Sequence, residues 1–110
     1  MLKPTDKVVC CCRKGQVRSV AARRILIERH GFRNVLSFGL ENTDDFWKEM
    51  LFGYANHVLV VGGDAVWCLL PDYWRYKALW LDVGRDVWGN PMDYELDKLL
   101  SPMIERLVKI

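Results

Sequence analysis

The stretch of sequence that decides the fold lies between residues 7 and 19 and reads KVVCCCRKGQVRS. Lys7 to Cys11 is a short apolar run bounded by polar residues, which is typical of a buried strand. Ser19 to His30 then has apolar residues at helical spacing, with arginines covering the other side. Gly31 follows where a helix C-cap glycine belongs. The sequence therefore predicts a strand, a tight polar loop and a helix in direct succession.

The rest of the chain repeats this alternation. Further strands are predicted at residues 35–38, 57–61 and 77–83, and further helices at residues 42–52, 64–70 and 92–108. Because parallel strands are joined by right-handed crossovers, the alternation predicts the α/β class. We expect a single-domain open four-stranded parallel sheet of order 2-1-3-4, with helices on both faces. At 110 residues the whole chain, 1–110, has the size of one domain.

Composition limits the classes of function. The net charge of +2 is too small to indicate nucleic acid by itself, and no apolar run approaches the ~20 residues of a membrane span. Residues 1–7 are polar, hold Pro4 and do not resemble a signal peptide. The spacing of Cys10, Cys11, Cys12 and Cys68 suits neither a disulfide framework nor a zinc site. We predict a reduced, cytoplasmic protein with no metal, no cofactor, and no nucleic-acid or membrane partner. The sequence does not indicate its oligomeric state.

The loop after the first strand has the features of an anion-binding site. In an open parallel sheet, ligands bind where the strand order reverses, and order 2-1-3-4 puts that point after strand 1. The loop opens a helix, whose first N–H groups attract phosphate. Gly15 lets those donors come close together, and Arg18 supplies a planar fork for two oxygens. We predict that phosphate is bound by Arg13, Lys14, Gly15, Gln16, Val17 and Arg18.

Cys12 is the candidate nucleophile of this loop. The positive field of the helix N-terminus favours a thiolate, and Ser19 is placed to donate a hydrogen bond to the sulfur and to cap the helix. Five residues and then Arg-Ser follow Cys12, whereas the same spacing from Cys10 or Cys11 leads to no arginine. We interpret Cys10 and Cys11 as strand residues without chemistry, and Cys68 as a core residue of a short apolar helix.

The pattern of Cys12, five residues, Arg18 and Ser19 resembles the signature of cysteine-dependent phosphatases. The chain as a whole resembles the low-molecular-weight protein tyrosine phosphatase family, especially its compact bacterial-type members. Its strand before the loop, residues 36–39, and residues 81–83 before a late acidic loop carry the rest of the likeness. The resemblance implies hydrolysis of phosphate monoesters on a phosphorylated protein or small aryl phosphate, with phosphotyrosine the default. It also implies a phosphocysteine intermediate on Cys12.

A general acid and a pocket aromatic are further implications of the resemblance. The family carries a late Asp-Pro-aromatic loop, and Asp86-Val87-Trp88 stands in its place here. Asp86 therefore matches the catalytic acid and Trp88 the aromatic of the substrate pocket, while Val87 departs from the family's proline. Asp82 is the alternative acid. Val17 also departs from the pattern, because many members carry a second cysteine there.

Other functions remain open on these residues. An arsenate reductase on the same fold needs two further cysteines to relay a disulfide, and only Cys68 lies beyond the loop. A phosphocysteine carrier of the sugar phosphotransferase type does not need the fork of Arg18. An inactive phosphate-binding module is disfavoured because Cys12, Arg18 and Ser19 are all present. The substrate of a phosphatase stays open among phosphotyrosine, phosphoarginine and small aryl phosphates.

Overall fold

The computed structural model describes residues 2–85 and 87–108 of the chain. Strands and helices alternate along it, with a 3₁₀ segment at Asp72–Lys77 before the last strand. In chain order the elements are β1 (Lys7–Cys12), α1 (Arg18–His30), β2 (Asn34–Gly39), α2 (Asp45–Tyr54), β3 (His57–Val61), α3 (Asp64–Trp67), β4 (Ala78–Leu81) and α4 (Tyr94–Val108). No helix within these described ranges is long and apolar enough to cross a membrane.

The four strands form one parallel sheet in the order β2-β1-β3-β4, which confirms the predicted topology. β1 is central, and its last five residues are buried because both of its edges are paired and both of its faces are covered. Val8 and Cys10 point into an apolar cluster under α1 and α4, whereas Val9 and Cys11 point into a second cluster under α2 and α3. This alternation along the strand confirms helices on both faces.

The structure differs from several predicted boundaries, and the helix predicted over residues 42–52 is Asp45–Tyr54. The predicted helix 64–70 ends at Trp67, and β4 ends at Leu81 rather than at residue 83. The last helix begins at Tyr94 rather than at residue 92, because the Asp93 carboxylate accepts hydrogen bonds from the N–H groups of Glu95 and Leu96 and so caps it. In the first half, Gly31 is the left-handed C-cap of α1, as the sequence predicted.

Candidate active site

The loop between β1 and α1 is fastened to the chain that leaves β2. The pairing of β1 with β2 continues beyond the ends of the two strands. Cys12 pairs with Gly39, and the residues that follow each of them are also hydrogen-bonded to one another. The bonds run from Leu40 N to Cys12 O at 2.8 Å, from Glu41 N to Arg13 O at 2.9 Å, and from Asn42 Nδ2 to Lys14 O at 3.0 Å. The start of the candidate phosphate loop is thereby fixed in space before any anion binds.

Two glycines make this close approach possible. A Cβ on Gly15 would lie 2.3 Å from Gly39 N, and a Cβ on Gly39 would lie 2.3 Å from the carbonyl carbon of Lys14. Gly15 also has φ +71°, which side-chain-bearing residues rarely adopt. Gly15 was assigned to the loop from the sequence, but no role was predicted for Gly39, because its role depends on a contact between segments that are distant along the chain.

Cys12 lies at the carboxyl end of β1 with only 2% of its surface exposed. Its Sγ is 3.2 Å from Ser19 Oγ, and the Gly15 N–H donates to the same sulfur at 3.2 Å. Ser19 is fully buried in the first turn of α1. A sulfur anion at this position can thus accept from a backbone amide and a hydroxyl, which are the groups that stabilise a thiolate in a buried site.

The neighbouring cysteines are in a different electrostatic setting. Burial raises the pKa of the Cys10 thiol to about 12 and holds the pKa of Cys11 well above its usual range, so both stay neutral thiols at physiological pH. Cys68 is exposed, so its assignment to the core is wrong. The reason is the early end of α3, which leaves Cys68 on a turn facing solvent instead of on an inward helical face.

Arg18 begins α1 and is almost fully buried, with 3% of its surface exposed. Its Nη1 donates to the carbonyl oxygen of Gly84 at 3.3 Å, in the chain that follows β4. The same Nη1 lies where a side chain on Gly62 would stand, 2.6 Å from an ideal Cβ. Neither glycine was singled out as functional from the sequence, although the Gly62-Gly63 pair directly after a strand marks a place of close approach.

A cleft of about 600 Å³ opens beside this arginine. Its charged lining comprises four cationic and two acidic side chains, which favours an anionic ligand. The lining residues are Arg13, Lys14, Arg18, Gly63, Asp64, Ala65, Val66, Asp82, Gly84 and Arg85. Of the predicted phosphate-binding residues, Arg13, Lys14 and Arg18 therefore lie together on the cleft. Gln16 is exposed, and Val17 packs against the cluster under α1 and α4.

The predicted acid and aromatic lie on the chain after β4. Asp86 lies outside the described residues, so its assignment as the acid stays a prediction. Trp88 is half-buried and packs against the cluster under α1 and α4. Asp82 is exposed just beyond β4, lines the cleft, and accepts a hydrogen bond from the Gly84 N–H at 3.0 Å. Asp82 was predicted to lie within the strand 77–83, and this is wrong because β4 ends at Leu81.

Metal ligands do not converge anywhere in residues 2–85 and 87–108, where no group of three or more His, Cys, Asp or Glu side chains could hold an ion. The cleft carries three guanidinium groups and one ammonium group, which are ligands for an anion, beside the carboxylates of Asp64 and Asp82. The cleft can therefore bind an oxyanion at the loop that holds Cys12, and Cys12 itself is not among the residues that line it.

Fold and site together describe a small α/β protein with a cysteine–arginine loop after its first strand. No protein-family model and no curated protein matches the sequence. Among solved structures, the chain is similar to a mutant of YwlE from Bacillus subtilis, with a TM-score of 0.66 and 20% identity over 94% of this chain and 99% of that one. The likeness shows the fold of low-molecular-weight protein tyrosine phosphatases, as the resemblance in sequence predicted.

A second similar structure is the thioredoxin-dependent arsenate reductase Cg_ArsC1′ from Corynebacterium glutamicum. Its TM-score is 0.59 and its identity 18%, over 97% of this chain. The match spans 62% of the reductase, so that protein carries a substantial portion without a counterpart here. Both comparisons show that this chain shares the fold of these two proteins.

Proposed function

We propose that this protein is a cysteine-dependent phosphatase that hydrolyses phosphate monoesters, with protein phosphotyrosine as its substrate class. The observation that carries the proposal is the pair of 3.2 Å contacts that Ser19 Oγ and Gly15 N make with Cys12 Sγ, in a loop whose cationic side chains line the cleft. A nucleophile that works as a thiolate needs reducing surroundings, so we place the enzyme in the cytoplasm.

The proposed reaction has two steps. The Cys12 thiolate attacks phosphorus, the phosphorus–oxygen bond to the leaving group breaks, and the leaving oxygen takes a proton from a carboxylic acid. Asp86 is the proposed acid and Asp82 the alternative. Water then attacks the phosphocysteine and gives a proton to the same carboxylate, the sulfur departs as a thiolate, and inorganic phosphate is released. Arg18 binds two oxygens of the phosphoryl group through both steps.

Arsenate reduction is the second candidate, because one of the similar structures is named for it. That chemistry consumes reducing equivalents through successive cysteine sulfurs, each of which must attack as a thiolate. Cys10 and Cys11 are poor candidates, since burial raises the pKa of both thiols. Cys68 is exposed and is the single thiol in the described chain that could serve as a relay. A phosphatase needs no such relay, which favours hydrolysis.

A direct comparison of substrates tests the proposal. Peptides carrying phosphotyrosine, phosphoserine or phosphoarginine are incubated with the protein, and released phosphate is measured beside an arsenate reduction assay with a thiol donor. We expect the fastest release from phosphotyrosine, and a phosphorylated cysteine in acid-quenched samples of the wild type that is missing from Cys12→Ser. Arsenate reduction that outpaces phosphate release, or phosphate release that survives in Cys12→Ser, would refute the proposal.

A further inference from the structure

The Arg18 guanidinium occupies a space that exists because residue 62 has no side chain. An ideal Cβ on Gly62 would come within 2.6 Å of Arg18 Nη1, well inside contact distance. The same Nη1 donates to Gly84 O at 3.3 Å. Gly63 in turn faces Gly84, since a Cβ on Gly63 would lie 3.3 Å from the Gly84 carbonyl carbon. The fork is therefore lodged between the turn after β3 and the chain after β4.

Both backbone polar groups of Gly62, its N–H and its carbonyl, are hydrogen-bonded. Its N–H donates to Leu81 O at 3.0 Å, and its carbonyl accepts from the indole Nε1 of Trp80 at 2.7 Å. The Trp80 ring is stacked on Trp67, with centroids 5.4 Å apart and planes inclined by 12°. Because these bonds tie the turn to β4, a new side chain at position 62 cannot be relieved by the turn moving away. Gly62 also has φ +147°, which side-chain-bearing residues rarely adopt, and a new Cβ there would meet both the flexible end of Arg18 and Val66 Cγ2.

From this geometry we infer that Gly62 is a positioning residue that sets the direction of the Arg18 fork, and that Trp80 supports it through the Gly62 carbonyl. The inference rests on the proposed function of the site and names part of what makes that site selective for an oxyanion. A planar guanidinium binds two oxygens only when its plane faces them, so its orientation before binding decides affinity and rate. Neither residue touches the substrate.

Gly62→Ala tests the inference through binding of inorganic phosphate and vanadate, measured by calorimetry, as well as through turnover. We expect about 10²-fold weaker anion binding, and a similar loss in kcat/KM, because a displaced fork loses its geometry. Anion binding needs no turnover, so it reports on Arg18 even if the protein hydrolyses nothing. Wild-type protein that binds phosphate but fails to hydrolyse esters would overturn the proposed function and leave this inference standing.

A double-mutant cycle separates positioning from general disruption. In an Arg18→Ala background there is no guanidinium to displace, so adding Gly62→Ala should change phosphate affinity less than about two-fold. If Gly62→Ala acted only by loosening the turn, it would weaken binding equally in both backgrounds, and the inference would be wrong. Gly53→Ala is the matched control in α2, where the new Cβ meets only ordinary van der Waals contact at 3.9 Å.

A second clash at position 62 requires its own variant. The ideal Cβ also lies 2.7 Å from Val66 Cγ2, in α3. Gly62→Ala combined with Val66→Ala removes the contact with Cγ2, keeps a milder one with the Cβ of residue 66 at 3.1 Å, and leaves the contact with Arg18. We expect the combination to recover part of the lost thermal stability while phosphate affinity stays low. Recovery of affinity together with stability would show that packing of α3, and not the fork, was the cause.

Two measurements keep the inference falsifiable should Gly62→Ala not fold. Trp80→Phe keeps the stacked ring but removes the donor to Gly62 O, and we expect a several-fold loss of phosphate affinity. Trp47→Phe, at an exposed position of α2, is the control and should leave the affinity unchanged. In wild-type protein without anion, ¹⁵N NMR should show slow rotation for one guanidinium, assigned by its loss in Arg18→Lys. An averaged Arg18 signal together with an unchanged Trp80→Phe would overturn the inference.

Discussion

The interior and the end of β1 offer three consecutive cysteines with nearly the same burial and very different surroundings. Cys10 and Cys11 are 0% exposed and Cys12 is 2% exposed. The first two are enclosed by apolar side chains, and burial raises the pKa of each thiol. Cys12 instead meets a backbone N–H and a hydroxyl at the point where the strand ends. Burial among apolar groups therefore keeps a thiol neutral and unreactive, whereas hydrogen-bond donors at the end of the strand can stabilise the thiolate that acts as a nucleophile.

The largest expected effect tests that division directly. Cys12→Ser should lose roughly 10⁴-fold or more in kcat, since a nucleophile removed from a concerted site leaves little residual catalysis. It should still bind phosphate, because Arg18 and the loop remain. Cys10→Ser and Cys11→Ser should keep most of their turnover per folded molecule, although a buried hydroxyl without a partner costs about 1–3 kcal/mol of stability. Loss of activity in folded Cys10→Ser would mean that the strand interior takes part in the chemistry.

The general acid is expected to have the next largest effect. Asp86→Asn should slow a substrate with a poor leaving group by about 10²-fold, because the departing oxygen no longer receives a proton. An activated aryl phosphate should be much less affected, since its phenolate leaves without help. The alkaline limb of the pH–rate profile should also flatten in this variant.

Asp82→Asn is the matched variant for the acid. Asp82 lines the cleft and is exposed, so its replacement should leave the fold intact and lets the two aspartates be compared on activity alone. If Asp82→Asn shows the dependence on leaving group and Asp86→Asn does not, the acid belongs at the end of β4 and the assignment to Asp86 is wrong.

A smaller effect is expected at Ser19. Ser19→Ala removes the hydroxyl 3.2 Å from Cys12 Sγ and keeps the backbone amide of Gly15. We expect about 10-fold slower turnover, since one of two stabilising donors is lost and each hydrogen bond to a charged group contributes about 1.5–3 kcal/mol. Alkylation of Cys12 by iodoacetate at neutral pH should slow in parallel. Ser37→Ala on β2 is the control. Equal losses of turnover in Ser19→Ala and Ser37→Ala would contradict the role given to Ser19.

The site at the end of β1 could be predicted from the sequence because the residues that define it are close together along the chain. An apolar strand, a glycine in the loop, and Arg-Ser at a fixed spacing all lie within residues 7–19, and alternation of strands and helices was enough to predict the sheet order. Gly39 and Gly62 were missed because each is defined by a contact with a distant segment, Lys14-Gly15 in one case and Arg18 in the other. Cys68 was misassigned because an apolar run that ends at Pro71 has the same composition in a helix and in a turn.

The effect expected to be smallest at neutral pH concerns the strand interior. Burial raises the pKa of the Cys10 thiol from 9.0, its ordinary value in the unfolded chain, to about 12 in the folded protein. Below pH 8 both states hold the proton, so the thiol adds no pH dependence. Above that, the unfolded state ionises and the folded state does not, so the free energy of unfolding falls by up to about 1.4 kcal/mol per pH unit for this thiol until the pH nears 12.

Cys10→Ala should remove that contribution, and its urea unfolding free energy should decline less steeply than the wild type between pH 8 and 10. Tyrosines and lysines titrate in the same window, but they are common to both proteins and cancel in the difference. Cys11→Ala should give a similar decrease in slope, because burial raises the pKa of its thiol too. Equal slopes in the wild type and both variants would mean that water reaches the interior of β1, and the contrast with Cys12 would then rest on the donors of Gly15 and Ser19 alone.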